Sequence, residues 1–301
     1  MPKISILMNC FNSDKYLRES IDCVINQTLN DWEIIFWDNQ STDKSAEIAK
    51  SYGDKRIRYF YAPEHTSLYK GRSAAIKHCT GEYLAFLDCD DLWIPTKLEK
   101  QLSILEANKD IVLVHSNTVF FNSDNSYERI YHKRKRMSGY IFKEVICDYH
   151  FSLETVMVRM ETIVTNELDF GDYNLIGERD FFSMVCFYGD VHYIPETLGK
   201  WRIHTNNFTR VLQNSAPKEL RRMYLRLKTR FKHDFTREMR LNVYDEIILR
   251  KALNGFQVSG SFVRKKLKKL HALNAKGALL WLLSYFPKKL ALFVFKIYRD
   301  V

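Results

Sequence analysis

The chain has 301 residues, 46% hydrophobic and 14% aromatic, with only 11 Gly and 6 Pro, which excludes a disordered or fibrous protein and points to a packed globule. Its net charge of +10 is unevenly placed: from Ser215 onward 21 Lys and Arg stand against 6 Asp and Glu, net +15, and the remaining 25 basic and 30 acidic residues leave −5. That split separates an acidic body from a basic C-terminal region and excludes a uniformly basic nucleic-acid-binding surface.

In chain order the first hundred-odd residues alternate strand and helix. Residues 3–9 (KISILMN) read as a strand. Residues 14–27 follow as a helix, with Tyr16, Leu17, Ile21, Val24 and Ile25 on one face and Asp14 placed to cap its start. Strands are expected at 32–38, 56–62 and 82–87, with helices at 41–52 and 69–79. Pro95 opens a further helix over 95–108, and residues 110–121 return as a strand. Beyond residue 120 the pattern loosens. A basic loop (YHKRKRM) precedes a helix over 139–149 and a strand over 152–160. A helix over 178–188, a strand to Ile194 and a short strand ending at His204 complete the acidic body.

The six cysteines form no C-x-x-C pair and read as reduced, mostly buried thiols rather than a zinc site or a disulfide framework. The start shows no signal-peptide pattern, and no apolar run approaches the roughly 18–20 residues that span a bilayer. The expectation is therefore a chain that does not cross the membrane.

Strand–helix alternation of this kind builds a mostly parallel, doubly wound sheet that binds ligands at the carboxyl ends of its strands. Those ends are residues 9–12, 38–40, 62–65 and 88–91, where the polar residues concentrate. Neither G-x-G-x-x-G nor a Walker A pattern occurs, so a nucleotide here has to be held by side chains, with a metal on its phosphates. The apolar stretch ending at Leu87 delivers Asp88, Asp90 and Asp91 within four residues. Such carboxylates suit Mg2+ or Mn2+ completed by water and substrate phosphates. The plain alternative is an acidic loop capping the Pro95 helix.

Three segments in order, "ILMNCFNSDKYLRESIDCVINQT", "EIIFWDNQSTDKS" and "TGEYLAFLDCDDLW", followed by "GERDFFSMVCFYGDVHYIP" and "KWRIH", make residues 3–206 similar to the family-two, inverting glycosyltransferases of GT-A fold. The resemblance implies a Rossmann-like, mostly parallel sheet with flanking helices over 1–210. Residues 1–120 would form a nucleotide-sugar half and 121–210 an acceptor half, with a basic α-helical region over 211–301. It also implies roles. Asp38 would accept the base N–H, Phe11 would wall or stack on the base, and Asn9 stands where the family has Pro. Arg72 would approach the base or diphosphate and Asp88 the ribose or base side. Asp90 would hold a divalent metal, Mn2+ or Mg2+, with Asp91 in support, and Arg202 and His204 would lie beside the diphosphate. The catalytic base position falls on Glu178, with Asp180 as second choice. For each there is a structural alternative: a helix cap, a strand end, a solvated helix arginine, or a carboxylate favoured by a helix N-terminus.

The region 261–301 joins Lys/Arg clusters to short apolar runs with Trp281, Tyr285 and Phe286. This composition suits helices lying in the interface of an anionic membrane, or else a helical cap with a solvated basic face. The expected partners are a nucleotide-sugar donor, a glycan or lipid-linked acceptor and the inner face of the cytoplasmic membrane, with no nucleic acid. A nucleotidyltransferase and a non-catalytic nucleotide-sugar or lipid-binding module remain as rival readings.

Overall fold

The computed structural model describes residues 1–123, 127–204 and 215–256. In chain order the elements are β1 Ile4–Cys10, α1 Asp14–Ile25, β2 Trp32–Asp38, α2 Ser45–Ser51, β3 Ile57–Tyr61, α3 Leu68–Ile76, β4 Tyr83–Phe86, β5 Leu92–Trp93, α4 Lys97–Ala107 and β6 Ile111–Phe121. They continue with β7 Glu128–Ile130, α5 Phe142–Cys147, β8 Met157–Arg159, α6 Met160–Thr165, α7 Gly177–Val185 and β9 Asp190–Arg202. The sheet runs β3-β2-β1-β4-β8-β6-β9-β5, with β7 paired to β6. Strands β3, β2, β1 and β4 are parallel neighbours. Antiparallel β8 joins β4 to β6, and β9 lies parallel to β6.

The seven residues of β1 and of β2 are all buried, as expected of strands covered on both faces. On α1, Tyr16, Leu17, Ile21 and Val24 turn inward, and with Ile4, Ile6, Ile34, Phe36 and Leu98 they form the main core. Strands β1 and β2 run in register to Cys10 and Asp38, so both chains turn away at the same edge. The chain divides into two compact units, Met1–Val211 and Leu212–Val301. The second includes the helices Ala216–Arg230 and Arg237–Phe256. Among the described residues no helix is long and apolar enough to cross a membrane.

Several local expectations shift. The helix expected over 41–52 is α2 alone, because Ser41 and Thr42 are pinned by Asp38 and Asn12 before it begins. Asp14 does not cap α1; its own N–H is capped by Asp43 Oδ2 at 2.9 Å, across the loops. The strand expected over 152–160 opens as a 3-10 turn, Leu153–Thr155, because the Ser152 and Thr155 side chains bond locally and compete with the ladder. The two strands expected before His204 are one, β9, with a register break that leaves the exposed Pro195 and Glu196 without partners on β6. The segment 261–301, read as interfacial helices, lies outside the described residues.

Candidate active site

The polar residues at the ends of β1 and β2 build a braced rim. Asn12 and Gln40 both sit in the left-handed region, φ 50° and 69°, a conformation that Asn tolerates through its short polar side chain. Asn12 is held by Ser41 Oγ on its N–H (3.1 Å) and accepts the Thr42 N–H (2.8 Å). Asp38 is fully buried; its carboxylate accepts the Ser41 N–H at 2.7 Å and the Tyr59 hydroxyl at 2.6 Å. Asp38 thus supports the rim from beneath. Phe11 stands 47% exposed above it, its ring centroid 4.3 Å from that of His65. Asn9 is buried and donates to the Leu68 carbonyl at 3.1 Å, tying β1 to the start of α3.

After β4 the chain leaves sheet geometry, with Asp91 N–H donating back to Asp88 O. The three aspartates meet three different partners. Asp88 pairs with Arg72, which is 2% exposed and whose Nε has no hydrogen-bond partner. Asp90 Oδ2 lies 2.8 Å from His204 Nε2. Asp91 is buried and accepts the backbone N–H of Arg202 at 2.9 Å. Arg202 is buried too: Nε donates to the Asp90 carbonyl (2.8 Å), Nη2 meets Glu19 (2.8 Å), and the guanidinium lies 4.3 Å from the Tyr16 ring centroid. Asp91 and Arg202 therefore lock the acidic turn to the end of β9, whereas Asp90 and His204 present a carboxylate and an imidazole together.

Burial pushes the Asp88 carboxyl up, with Arg72 opposing it and Asp90 reinforcing it. Burial, then Asp90, pushes Asp91 well above the carboxylate range. Asp88 and Asp91 thus resist ionisation, a state that a cation beside them would relieve.

Glu178 enters from α7. Gly177 lies against the Tyr69 ring so closely that any side chain there would collide with it, and this contact sets the start of α7 beside α3. Burial raises the Glu178 carboxyl to about 8, with Arg72 pulling it down and Asp88 and Glu154 pushing it further up. Glu178 thus shares one electrostatic environment with the Arg72–Asp88 pair. Asp180 lies two residues on, about 200° around the helix, and is fully buried. The helical phase separates the two acids that sequence reading weighed as bases.

Three contributors escaped sequence reading. Glu154 is buried behind the acidic turn, in a segment read as plain strand, and its charge acts on Asp91 and Glu178. Tyr131 and Tyr149, from the loops preceding and following α5, both have Glu178 as the first charge acting on their hydroxyls. No spacing in the sequence links these positions to residue 178. A cluster of polar tyrosines in a loop-rich stretch was the one available signal.

Among the described residues no group of three His, Cys, Asp or Glu is disposed to hold a metal ion. A cation here would rest on Asp90 and His204 and take its remaining ligands from water and phosphate oxygens, as Mg2+ and Mn2+ do. The Asp90 carboxylate and the His204 imidazole, 2.8 Å apart, are donors that fit such an ion.

The site therefore lies at the carboxyl edge of a parallel sheet, with acidic residues opposite a buried arginine. The family model "Glycosyl transferase family 2" matches residues 5–157. An uncharacterized glycosyltransferase of Methanocaldococcus jannaschii, MJ1057, is 32% identical over 245 residues, 77% of this chain and 80% of that protein. The Escherichia coli UDP-Glc:alpha-D-GlcNAc-diphosphoundecaprenol beta-1,3-glucosyltransferase WfgD is 31% identical over 122 residues, 40% of this chain and 48% of its own length. Among solved structures, S. aureus TarS 1-349 in complex with UDP-GlcNAc superposes with a TM-score of 0.65 at 14% identity, over 94% of this chain and 79% of that one. The mannosyltransferase PcManGT from Pyrobaculum calidifontis, in complex with GDP-Man and Mn2+, gives 0.61 at 14%, over 99% and 82%. The chain belongs to glycosyl transferase family 2 and is a glycosyltransferase of GT-A fold. Membership in this family displaces the nucleotidyltransferase reading.

Proposed function

We propose that the protein moves a sugar from a nucleotide-sugar, foremost a UDP-sugar, to a hydroxyl of a glycan or lipid-linked glycan, with inversion and with a divalent cation. The carrying observation is the meeting, at one sheet edge, of the Asp90–His204 pair, the Arg72–Asp88 pair and the Glu178 carboxyl. Phe11 with His65 would wall the base, above the rim that Asp38 and Asn9 hold in place. Asp88 would face the ribose, and the open Nε of Arg72 would meet a donor oxygen. Arg202 and Asp91 would keep the turn rigid.

A divalent cation held by Asp90 and His204, with Asp91 behind, would neutralise charge gathering on the departing diphosphate. The mixed carboxylate–imidazole pair favours Mn2+ over Mg2+, which takes an oxygen shell. PcManGT in complex with Mn2+ agrees with that choice. In its ionised form Glu178 takes the proton of the acceptor hydroxyl. The acceptor oxygen bonds to the anomeric carbon from the face opposite the phosphate, and the carbon–oxygen bond to the diphosphate breaks with its electron pair. The transition state is oxocarbenium-like. The closeness of the Arg72 and Asp88 charges to Glu178 supports turnover over a non-catalytic binding role. Asp180, fully buried, remains the weaker candidate for the base.

The catalytic domain is assigned to residues 1–210. Residues 211–301 are assigned to a basic attachment region, holding the protein on the cytoplasmic face of the membrane. The lipid-linked acceptor in the name of WfgD is consistent with that placement. A thermal-shift titration with UDP and Mn2+, together with a hydrolysis screen of nucleotide-sugars, tests the reading. A shift that requires the metal, with turnover of one donor, is expected. No shift and no turnover would overturn it.

A further inference from the structure

An exposed acceptor stands on the rim of the carboxyl edge. His65 follows β3 in a loop tied to the end of β2 at several points. The Ala62 N–H donates to the Asp38 carbonyl at 2.8 Å, and Gln40 Nε2 donates to the Ala62 carbonyl at 3.2 Å. Asn39 is buried; its Nδ2 donates to the Thr66 carbonyl (2.9 Å) and its Oδ1 accepts the Thr66 N–H (3.2 Å). The Asn39 N–H in turn donates to the Cys10 carbonyl at 2.8 Å, one residue before Phe11. Phe11 and His65 thus hang from one braced residue, and their exposed rings meet at 4.3 Å. The imidazole is oriented as well as placed. Its Nδ1 lies 2.8 Å from the Asn39 carbonyl. A carbonyl only accepts, so Nδ1 carries the proton of the neutral ring and Nε2, across the ring from the rim backbone, is left as an acceptor. Among the described residues Nε2 meets no donor. Asp38 offers a ligand nothing comparable: it is fully buried, with one oxygen on the Ser41 N–H and the other on the Tyr59 hydroxyl.

We propose that His65 reads the base of the donor: its Nε2 accepts the ring N3–H of uracil, the contact expected of Asp38, while the Phe11 ring covers a face of the base. The inference rests on the glycosyl-transfer reading above and names the atom that selects the donor nucleotide. Uracil carries a proton at N3. Cytosine has the same ring size and carries a lone pair there, which would meet the Nε2 lone pair with no hydrogen between them. Asp38 keeps a supporting part, holding Ser41 and Tyr59 so that the rim stays in place. His65 acts in binding only and exchanges no proton with the reacting groups.

The test measures binding of UDP and of CDP, each with Mn2+, to the full chain by calorimetry. The wild-type protein is expected to bind UDP about tenfold more tightly than CDP. His65→Phe keeps a ring against Phe11 and removes the acceptor. It is expected to weaken UDP about tenfold and to leave CDP unweakened, so that the preference collapses. Asp38→Asn is expected to lower the melting temperature and to keep the preference for UDP. Equal losses for UDP and CDP in His65→Phe would make the imidazole a stacking wall only and overturn the proposal. Wild-type protein that binds both nucleotides alike would do the same. A preference that survives His65→Phe and vanishes in Asp38→Asn would return the contact to Asp38. Wild-type protein that binds neither nucleotide overturns the UDP-sugar reading itself, which separates the two failures.

Discussion

At the edge of the parallel strands each carboxylate has a partner: Asp88 has Arg72, Asp90 has His204, Asp91 has the Arg202 backbone, and Asp38 has Ser41 and Tyr59. In the mixed half, built on β6, β8 and β9, His115 is fully buried with neither ring nitrogen bonded, and Tyr149 Oη is likewise alone. Both halves keep some buried polar atoms unpaired, Asn9 Oδ1 and Arg72 Nε in the first and His115 and Tyr149 Oη in the second, but only the first gathers paired carboxylates at one edge. A site that must grip one diphosphate chemistry gains from fixed charge.

The largest effect should come from the group that lies between the halves. Glu178→Gln is expected to lower transfer by roughly 10²–10⁴-fold, the usual range for a lost general base, with UDP binding by calorimetry nearly unchanged. Full activity would remove Glu178 from the chemistry. Asp90→Asn comes next. It should abolish the Mn2+-dependent part of the UDP thermal shift and lower turnover on the order of 10²-fold, while Asp91→Asn should act through stability, because its partner is a backbone N–H.

Glu178 and the buried imidazoles of the mixed half should titrate in opposite senses. The Glu178 carboxyl is raised from 4.5 to about 8, so its contribution is fully present below 4.5 and is lost as pH rises through 8. Burial depresses the imidazoles: His132 falls from 6.5 to about 4, and His115 and His150 fall as well. Their contribution is present above 6.5 and is lost as pH falls towards 4. Melting curves of the metal-free protein should flatten on the alkaline side in Glu178→Gln. They should flatten on the acid side in His115→Phe, a change that removes an unsatisfied polar ring packed on Phe151 and Tyr193 and should stabilise by about 1 kcal/mol near neutrality. The smallest effect belongs to the exposed Lys133, Arg134 and Lys135. Reversing all three to Glu should weaken sedimentation with anionic vesicles modestly, and leave transfer to a soluble glycoside unaffected.

The parallel half was legible because its information is local. The apolar runs of β1, β2 and β4, each followed at once by polar residues, announce both the strands and the edge where ligands bind, and Asp38, Asp88 and Asp90 fall there. The mixed half was less legible. The strand β8 is three residues long, and the break in β9 lies at Pro195, whose effect depends on the register with β6. Glu154, Tyr131 and Tyr149 reach the site only because segments distant in sequence are tied together.

The sequence by itself determined the class of fold, the alternation of its parallel strands with helices and the edge at which the polar residues gather. Hydrophobic periodicity and turn residues encode these directly. Tertiary structure alone decided what each acid meets. Asp91 is drawn to a backbone N–H on β9, and Asp90 meets an imidazole from beyond the end of that strand. Glu178 stands where Arg72 and Asp88 act on it, on a helix whose start is set by Gly177 packing on Tyr69. A side chain's direction depends on where its element is held, and that is settled by contacts between residues a hundred positions apart.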